Sequence, residues 1–161
     1  MSRTKNKKQL SNTSISSCDI TLQKNLDELD EFIKITFPDE NNIKHFHVRI
    51  TPEQGIWKDG IFDFSFTIDE EWPIKPPTVR SITRIWHPNI AEDGEVCLSM
   101  LKENYSPTIS IGNLIAGLQF LFCEPNAQSP LNNEAALQLR QNPQAFEAKV
   151  KDYIRQYCPK P

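Results

Sequence analysis

The hydrophobic positions of this chain change their period once, from two to 3.6, and the change separates a strand-rich first part from a helix-rich second part. Ahead of the strands, Leu22, Leu26 and Leu29 recur at helical spacing behind Ser16 and Asp19, which are placed like a capping pair. A first helix is predicted over about residues 16–31, with Asp27, Glu28 and Asp30 on its outer face. Phe32 to Phe37 reads as a short strand closed by Pro38 and the Asp39-Glu40-Asn41-Asn42 cluster. Phe46, Val48 and Ile50 alternate with His45, His47 and Arg49, a half-buried strand. Pro52 through Gly60 supplies turn residues, and Phe62, Phe64, Phe66 and Ile68 then alternate with Asp63, Ser65 and Thr67. The prolines of Trp72-Pro73-Ile74-Lys75-Pro76-Pro77 lack the ladder donor, so the run cannot continue a central strand; a last strand is expected from about Thr78 to Ile85.

Beyond residue 110 the pattern is helical. Ser110 is the expected N-cap of a helix carrying Ile111, Leu114, Ile115, Leu118, Leu121 and Phe122, apolar nearly all round and expected to be buried. Glu124-Pro125 ends it and Ser129-Pro130 prolongs the loop. Asn132 or Asn133 can cap a third helix to about Gln141, and Pro143 suits the first turn of a fourth, where Phe146, Val150, Tyr153, Ile154 and Tyr157 share a face. The order predicts an α+β domain: an N-terminal helix, a four-stranded antiparallel meander, an irregular loop over Trp86–Leu98, then three helices.

A length of 161 residues suits one domain with a tail; residues 1–15 read as a disordered basic tail and 16–158 as the core domain. Arg3, Lys5, Lys7 and Lys8 stand among the first 18 residues with no acid, which leaves 14 basic against 21 acidic residues beyond them. A body so acidic argues against nucleic-acid binding, which needs a basic footprint. The tail reads as a solvated arm, with docking or nuclear import as its alternative. No apolar run approaches a membrane span and the lysine-rich start does not read as a signal peptide, so no membrane partner is expected. Cys18, Cys97, Cys123 and Cys158 are scattered without a disulfide pattern, which points to a reducing compartment, cytoplasmic and/or nuclear.

The chemical candidates narrow by elimination. His45 and His47 share one strand face without a third ligand nearby, so solvent-facing histidines are expected and no metal site. The five glycines form no phosphate-cradling loop. Cys97 lies on the turn-rich segment after His87-Pro88-Asn89, and a cysteine hydrolase would need a base such as His87 held against it. Spacing alone leaves open whether Cys97 is a nucleophile or structural. Cys123, closing the third apolar turn, is expected to behave as a small core residue.

Three motifs decide more when taken together: His87-Pro88-Asn89 with Cys97 eight residues after the asparagine, Trp72-Pro73-Ile74-Lys75-Pro76-Pro77 upstream, and Tyr105-Ser106-Pro107 downstream. The set closely resembles the ubiquitin-conjugating enzyme family over about residues 16–157. Gly117-Leu118-Gln119-Phe120-Leu121-Phe122, Glu124-Pro125-Asn126, Pro130-Leu131-Asn132-Asn133-Glu134-Ala135-Ala136 and Glu53-Gln54-Gly55 are most similar to its neddylation (Rub-type) branch. Two departures stand out: residues 1–14 offer only Met1 and Leu10 as apolar residues where that branch carries a docking extension, and Tyr105 replaces the usual tryptophan.

The resemblance implies that Cys97 accepts a ubiquitin-like modifier from its activating enzyme as a thioester and passes it to a lysine of a protein substrate. It implies that Asn89 stabilises the oxyanion directly or by ordering the loop, that Ser129 lines the amine's approach, and that His87 and Pro88 support the loop. It places ligating-enzyme contacts, of RING type, at Ile68 and at Ser106, Pro107 and Thr108. No cofactor is implied, since ATP is spent by the activating enzyme. A general ubiquitin-conjugating enzyme and a catalytically silent binding module on the same fold are the alternatives.

Overall fold

Ser16 opens the described part of the chain, residues 16–161 of the computed structural model; the expected tail over residues 1–15 lies outside it. Helix α1 spans Ser17–Asp27, and its capping box is complete: the Ser16 hydroxyl accepts from the Asp19 N–H at 3.1 Å, while the Asp19 carboxylate accepts from the Ser16 N–H at 3.2 Å. The hydrogen bonds from Ser16 hold the Asp19 carboxyl below its usual range. The helix ends before residue 31, as Asp27, Glu28, Asp30 and Glu31 would crowd carboxylates onto the negative end of the helix dipole. Asp30 instead turns the chain, its carboxylate accepting from the Phe32 N–H at 2.9 Å.

Strands β1 (Lys34–Thr36), β2 (His45–Ile50), β3 (Phe62–Thr67) and β4 (Thr78–Ser81) form one antiparallel sheet in chain order. The register sets Phe46 opposite Phe66, Val48 opposite Phe64 and Ile50 opposite Phe62, so every inward position of the β2–β3 pair is apolar and buried. The outer face is polar: Arg49 clasps Asp63 through two hydrogen bonds of 2.8 and 2.9 Å. His45 and His47 are half-buried there with ring centroids 5.4 Å apart, and among the described residues no group of three His, Cys, Asp or Glu gathers to hold a metal. Two strands are shorter than their apolar runs. β1 pairs only over Lys34–Thr36, leaving Phe32 outside the ladder and 87% exposed. β4 stops at Ser81, after which the N–H groups of Ile82 and Thr83 both turn to the carbonyl of Asp63.

Helices α2 (Ile111–Cys123), α3 (Asn133–Gln141) and α4 (Pro143–Tyr157) follow, capped by Ser110, Asn132 and Asn142. α2 lays its Ile111, Leu114, Ile115, Leu118, Leu121 and Phe122 face on the sheet, where Phe122 stacks on Phe62 at 4.8 Å. The helix is not buried all round: Asn113, Ala116, Gln119 and Phe120 face solvent. Cys123 is exposed as well, contrary to the core role expected of it, because the residue after Phe122 lies about 100° further round the helix.

Candidate active site

Between β4 and α2 the chain is irregular, yet Ile85 to Ile90 is continuously buried. Buried irregular backbone must find its hydrogen bonds individually, and here side chains supply them. Trp57 donates from Nε1 to the Trp86 carbonyl at 3.0 Å and stacks on the His87 ring at 4.5 Å. His87 Nδ1 accepts from the Asn89 N–H at 2.9 Å, so Nε2 carries the proton and donates to the Leu121 carbonyl at 2.7 Å. Burial lowers the pKa of this imidazole to about 4, with the Leu121 hydrogen bond opposing in part. Neutral, buried and engaged at both nitrogens, His87 is not a base for a thiol, which removes the cysteine-hydrolase alternative that relied on it.

Asn89 is the next clamp. Its side-chain Nδ2 donates to the Asn126 carbonyl and its Oδ1 accepts from the Asn126 N–H, both at 2.8 Å. The Pro88 carbonyl accepts from Leu131 at 2.9 Å and Asn132 at 3.0 Å. Residues 126–132 are thereby tied to Pro88 and Asn89. The segment after Asn89 doubles back through a turn at Gly94, whose φ of 99° and whose approach to Ser81 leave no room for a side chain: an added Cβ would sit 2.5 Å from the Ser81 carbonyl oxygen. Arg84 and Tyr153 both bond the Glu92 carboxylate, and Arg80 bonds the Asp93 carbonyl at 2.9 Å, so the turn is fixed to β4 and α4.

Cys97 comes out of this turn half-buried, its N–H donating to the Asn89 carbonyl at 2.8 Å. Its Sγ lies 4.0 Å from the carbonyl oxygen of Ser129, a residue that is itself exposed. The thiol is thus partly open to solvent, beside an exposed serine and on backbone fixed to Asn89, where a cysteine nucleophile can be reached from outside.

The structure thus gathers Cys97, Asn89, Ser129, His87 and Pro88 into one site. Ser106, Pro107 and Thr108 lie on a separate loop, where the Ser106 hydroxyl meets that of Thr108 at 2.9 Å. Ile68 does not reach the surface: it is 4% exposed, because it continues the inward parity of Phe62, Phe64 and Phe66. The exposed aliphatic of that connection is Ile74, at 77%. Asn126, the backbone partner of Asn89, was not singled out by sequence reasoning; Glu124-Pro125-Asn126 marks a loop but carries no signal of what grips it.

Known proteins resemble this chain over most of its length. The ubiquitin-conjugating enzyme family matches residues 18–154. A Nedd8-conjugating enzyme of Drosophila melanogaster is 41% identical over 145 residues, covering 89% of this chain and 80% of the relative. The NEDD8-conjugating enzyme of Schizosaccharomyces pombe is 36% identical over 150 residues, 92% of this chain and 85% of the relative. The solved structure of S. cerevisiae Ubc12 superposes with a TM-score of 0.78 at 35% identity, covering 88% of this chain and 80% of that one.

Proposed function

Because the chain belongs to the ubiquitin-conjugating enzyme family, we propose that it is the conjugating enzyme of a neddylation pathway, as its relatives' names indicate. It is an acyl transferase. The Cys97 thiolate attacks the thioester carbonyl that joins NEDD8 to its activating enzyme, forms a new thioester and releases the activating enzyme's thiolate. A target lysine amine then attacks the same carbonyl carbon, the C–S bond breaks, and the amine sheds a proton as the amide forms. A thioester suits this two-step passage because thiolate is a good leaving group from either side. The chain itself requires no cofactor, since ATP is consumed in activation.

The observation that carries this reading is the position of Cys97: half-buried, hydrogen-bonded to Asn89 and 4.0 Å from the Ser129 carbonyl. Asn89 acts by ordering the 126–132 loop around the thioester, which its paired bonds to Asn126 support. Ser129 lines the path of the amine and orients it by hydrogen bonding; a serine is not a carboxylate base. His87 and Pro88 hold the loop. The ligating enzyme, of RING type, docks on Ile74 and Ser106–Thr108 in place of the buried Ile68. Four unpaired cysteines fit a reducing compartment, cytoplasmic or nuclear.

The test is charging. Incubated side by side with the NEDD8 and ubiquitin activating systems and ATP, the protein is expected to form a thiol-reducible adduct mainly with NEDD8. Preferential charging by ubiquitin would overturn the neddylation assignment.

A further inference from the structure

Tyr105, which stands apart from the thioester site, reaches across to a second loop. Its hydroxyl donates to the Pro73 carbonyl at 2.5 Å and lies 3.3 Å from the Lys75 carbonyl, so one phenol holds the backbone on both sides of Ile74. The hydroxyl has a single proton, and the shorter contact takes most of it. Burial raises the Tyr105 pKa, which keeps the phenol protonated and donating. Ile74 itself points outward, 77% exposed, on a turn in which its N–H bonds the Glu71 carbonyl at 2.8 Å. On the other side Tyr105 leads directly into Ser106–Thr108, where Ile109 donates to the Ser106 carbonyl at 3.0 Å.

Two exposed loops that are about 30 residues apart in sequence therefore share one fastening point. We propose that Tyr105 is the positioning residue of the ligase-binding surface: its hydroxyl joins Ile74 and Ser106–Thr108 into one pre-formed contact face. The proposal rests on the reading of those loops as the ligase surface. An apolar contact on a pre-ordered turn binds more tightly than the same side chain on a free loop, because the ordering entropy is already spent. The hydroxyl adds no chemistry at the sulfur; it sets how well the partner finds its surface.

Tyr105→Phe removes the donor and keeps the ring. The full-length protein is charged on Cys97 with NEDD8, and discharge to free lysine is followed with and without a RING-domain ligase fragment selected for accelerating the wild-type thioester. Charging and unstimulated discharge of the variant are expected to match wild type within experimental scatter, and its melting temperature to fall by no more than about a few degrees. The ligase concentration giving half-maximal stimulation is expected to rise by about 3- to 10-fold, the worth of one hydrogen bond, with the maximal rate unchanged. A Tyr105→Phe protein with wild-type half-saturation overturns the inference, and so does one whose unstimulated discharge falls in parallel, since the hydroxyl would then act on the whole fold. Ile74→Ala, run alongside, separates the two readings. If it weakens the ligase and Tyr105→Phe does not, only the inference fails; if neither does, the assignment of the surface fails with it.

Discussion

Phe64 and Asn89 are both buried, but opposite kinds of force keep them so. Phe64 lies in β3, whose inward positions are apolar at every second residue, and the ladder satisfies its backbone automatically. Asn89 lies on irregular backbone that survives burial through particular side-chain bonds: Asn89 to Asn126, His87 to Leu121, Trp57 to Trp86. The sheet is redundant and tolerant, each phenylalanine one of many contacts. The loop is a short list of bonds, each holding a separate part of the site. Substitutions in the first region should therefore cost stability, and those in the second should cost rate.

The largest effect expected from that contrast is on transfer. Asn89→Ala frees the 126–132 loop and should slow discharge of the thioester to lysine by about 10²-fold, the usual scale for losing a polar group that organises an acyl-transfer site. Charging and discharge measured separately would check it, and a variant with wild-type discharge would break the contrast at its centre. Phe64→Ala should behave in reverse, losing about 3–5 kcal/mol in urea unfolding while the fraction that remains folded transfers at close to the wild-type rate.

A smaller effect concerns acid. The folded pKa of His87, about 4, lies below its ordinary 6.5, so between those values the unfolded chain binds a proton that the folded one refuses. The stability contributed by the neutral imidazole is complete above about 6.5 and falls as pH drops toward about 4, by roughly 1.4 kcal/mol per pH unit at the steepest. Urea midpoints between pH 7.5 and 4.5 should fall accordingly, and the ring's NMR signals should stay those of the neutral, Nε2-protonated form at pH 5. An imidazole already protonated at pH 6 would contradict the buried geometry. Least affected of all should be Ser129→Ala: with the backbone carbonyl left facing the sulfur, lysine discharge is expected to stay within about threefold of wild type, the value of one exposed hydrogen bond. A drop of a hundredfold would move Ser129 into the same class as Asn89.

The same contrast explains what was legible in the sequence. Period-two alternation identified β2 and β3 and their inward faces, since parity alone decides which side of a pleat a residue takes. The caps at Ser16 and Ser110 were legible because capping is local. Helix and strand ends were less so: α1 stops at Asp27 and β4 at Ser81 for reasons of charge and of turn bonding that run beyond the apolar pattern. In α2 the apolar run with Ala116 and Gly117 inside it suggested burial nearly all round, but a helix at the edge of the core still turns one face, with Ala116 and Phe120, to water. Ile68 is the most instructive case. One residue beyond β3, it keeps the parity of Phe62, Phe64 and Phe66 and so turns inward, whereas the family resemblance sent it to the surface; Ile74, fixed between prolines with no alternation to read, is the residue that is exposed. The link from Asn89 to Asn126 crosses 37 residues and uses the backbone of its partner, so no side-chain pattern could announce it.

One measurement bears most directly on the claim that the loop makes the chemistry. Cys123 is exposed while Cys97 is half-buried, so reactivity governed by accessibility alone would favour Cys123. After brief charging with activating enzyme, ATP and NEDD8, non-reducing mass spectrometry should place the modifier's C-terminal glycine on Cys97 and on no other cysteine. Cys97→Ala should give no adduct, and Cys97→Ser should give a thiol-resistant oxyester that discharges more slowly. A thiol-reducible adduct that persists in Cys97→Ala, or that maps to Cys123, would contradict the account.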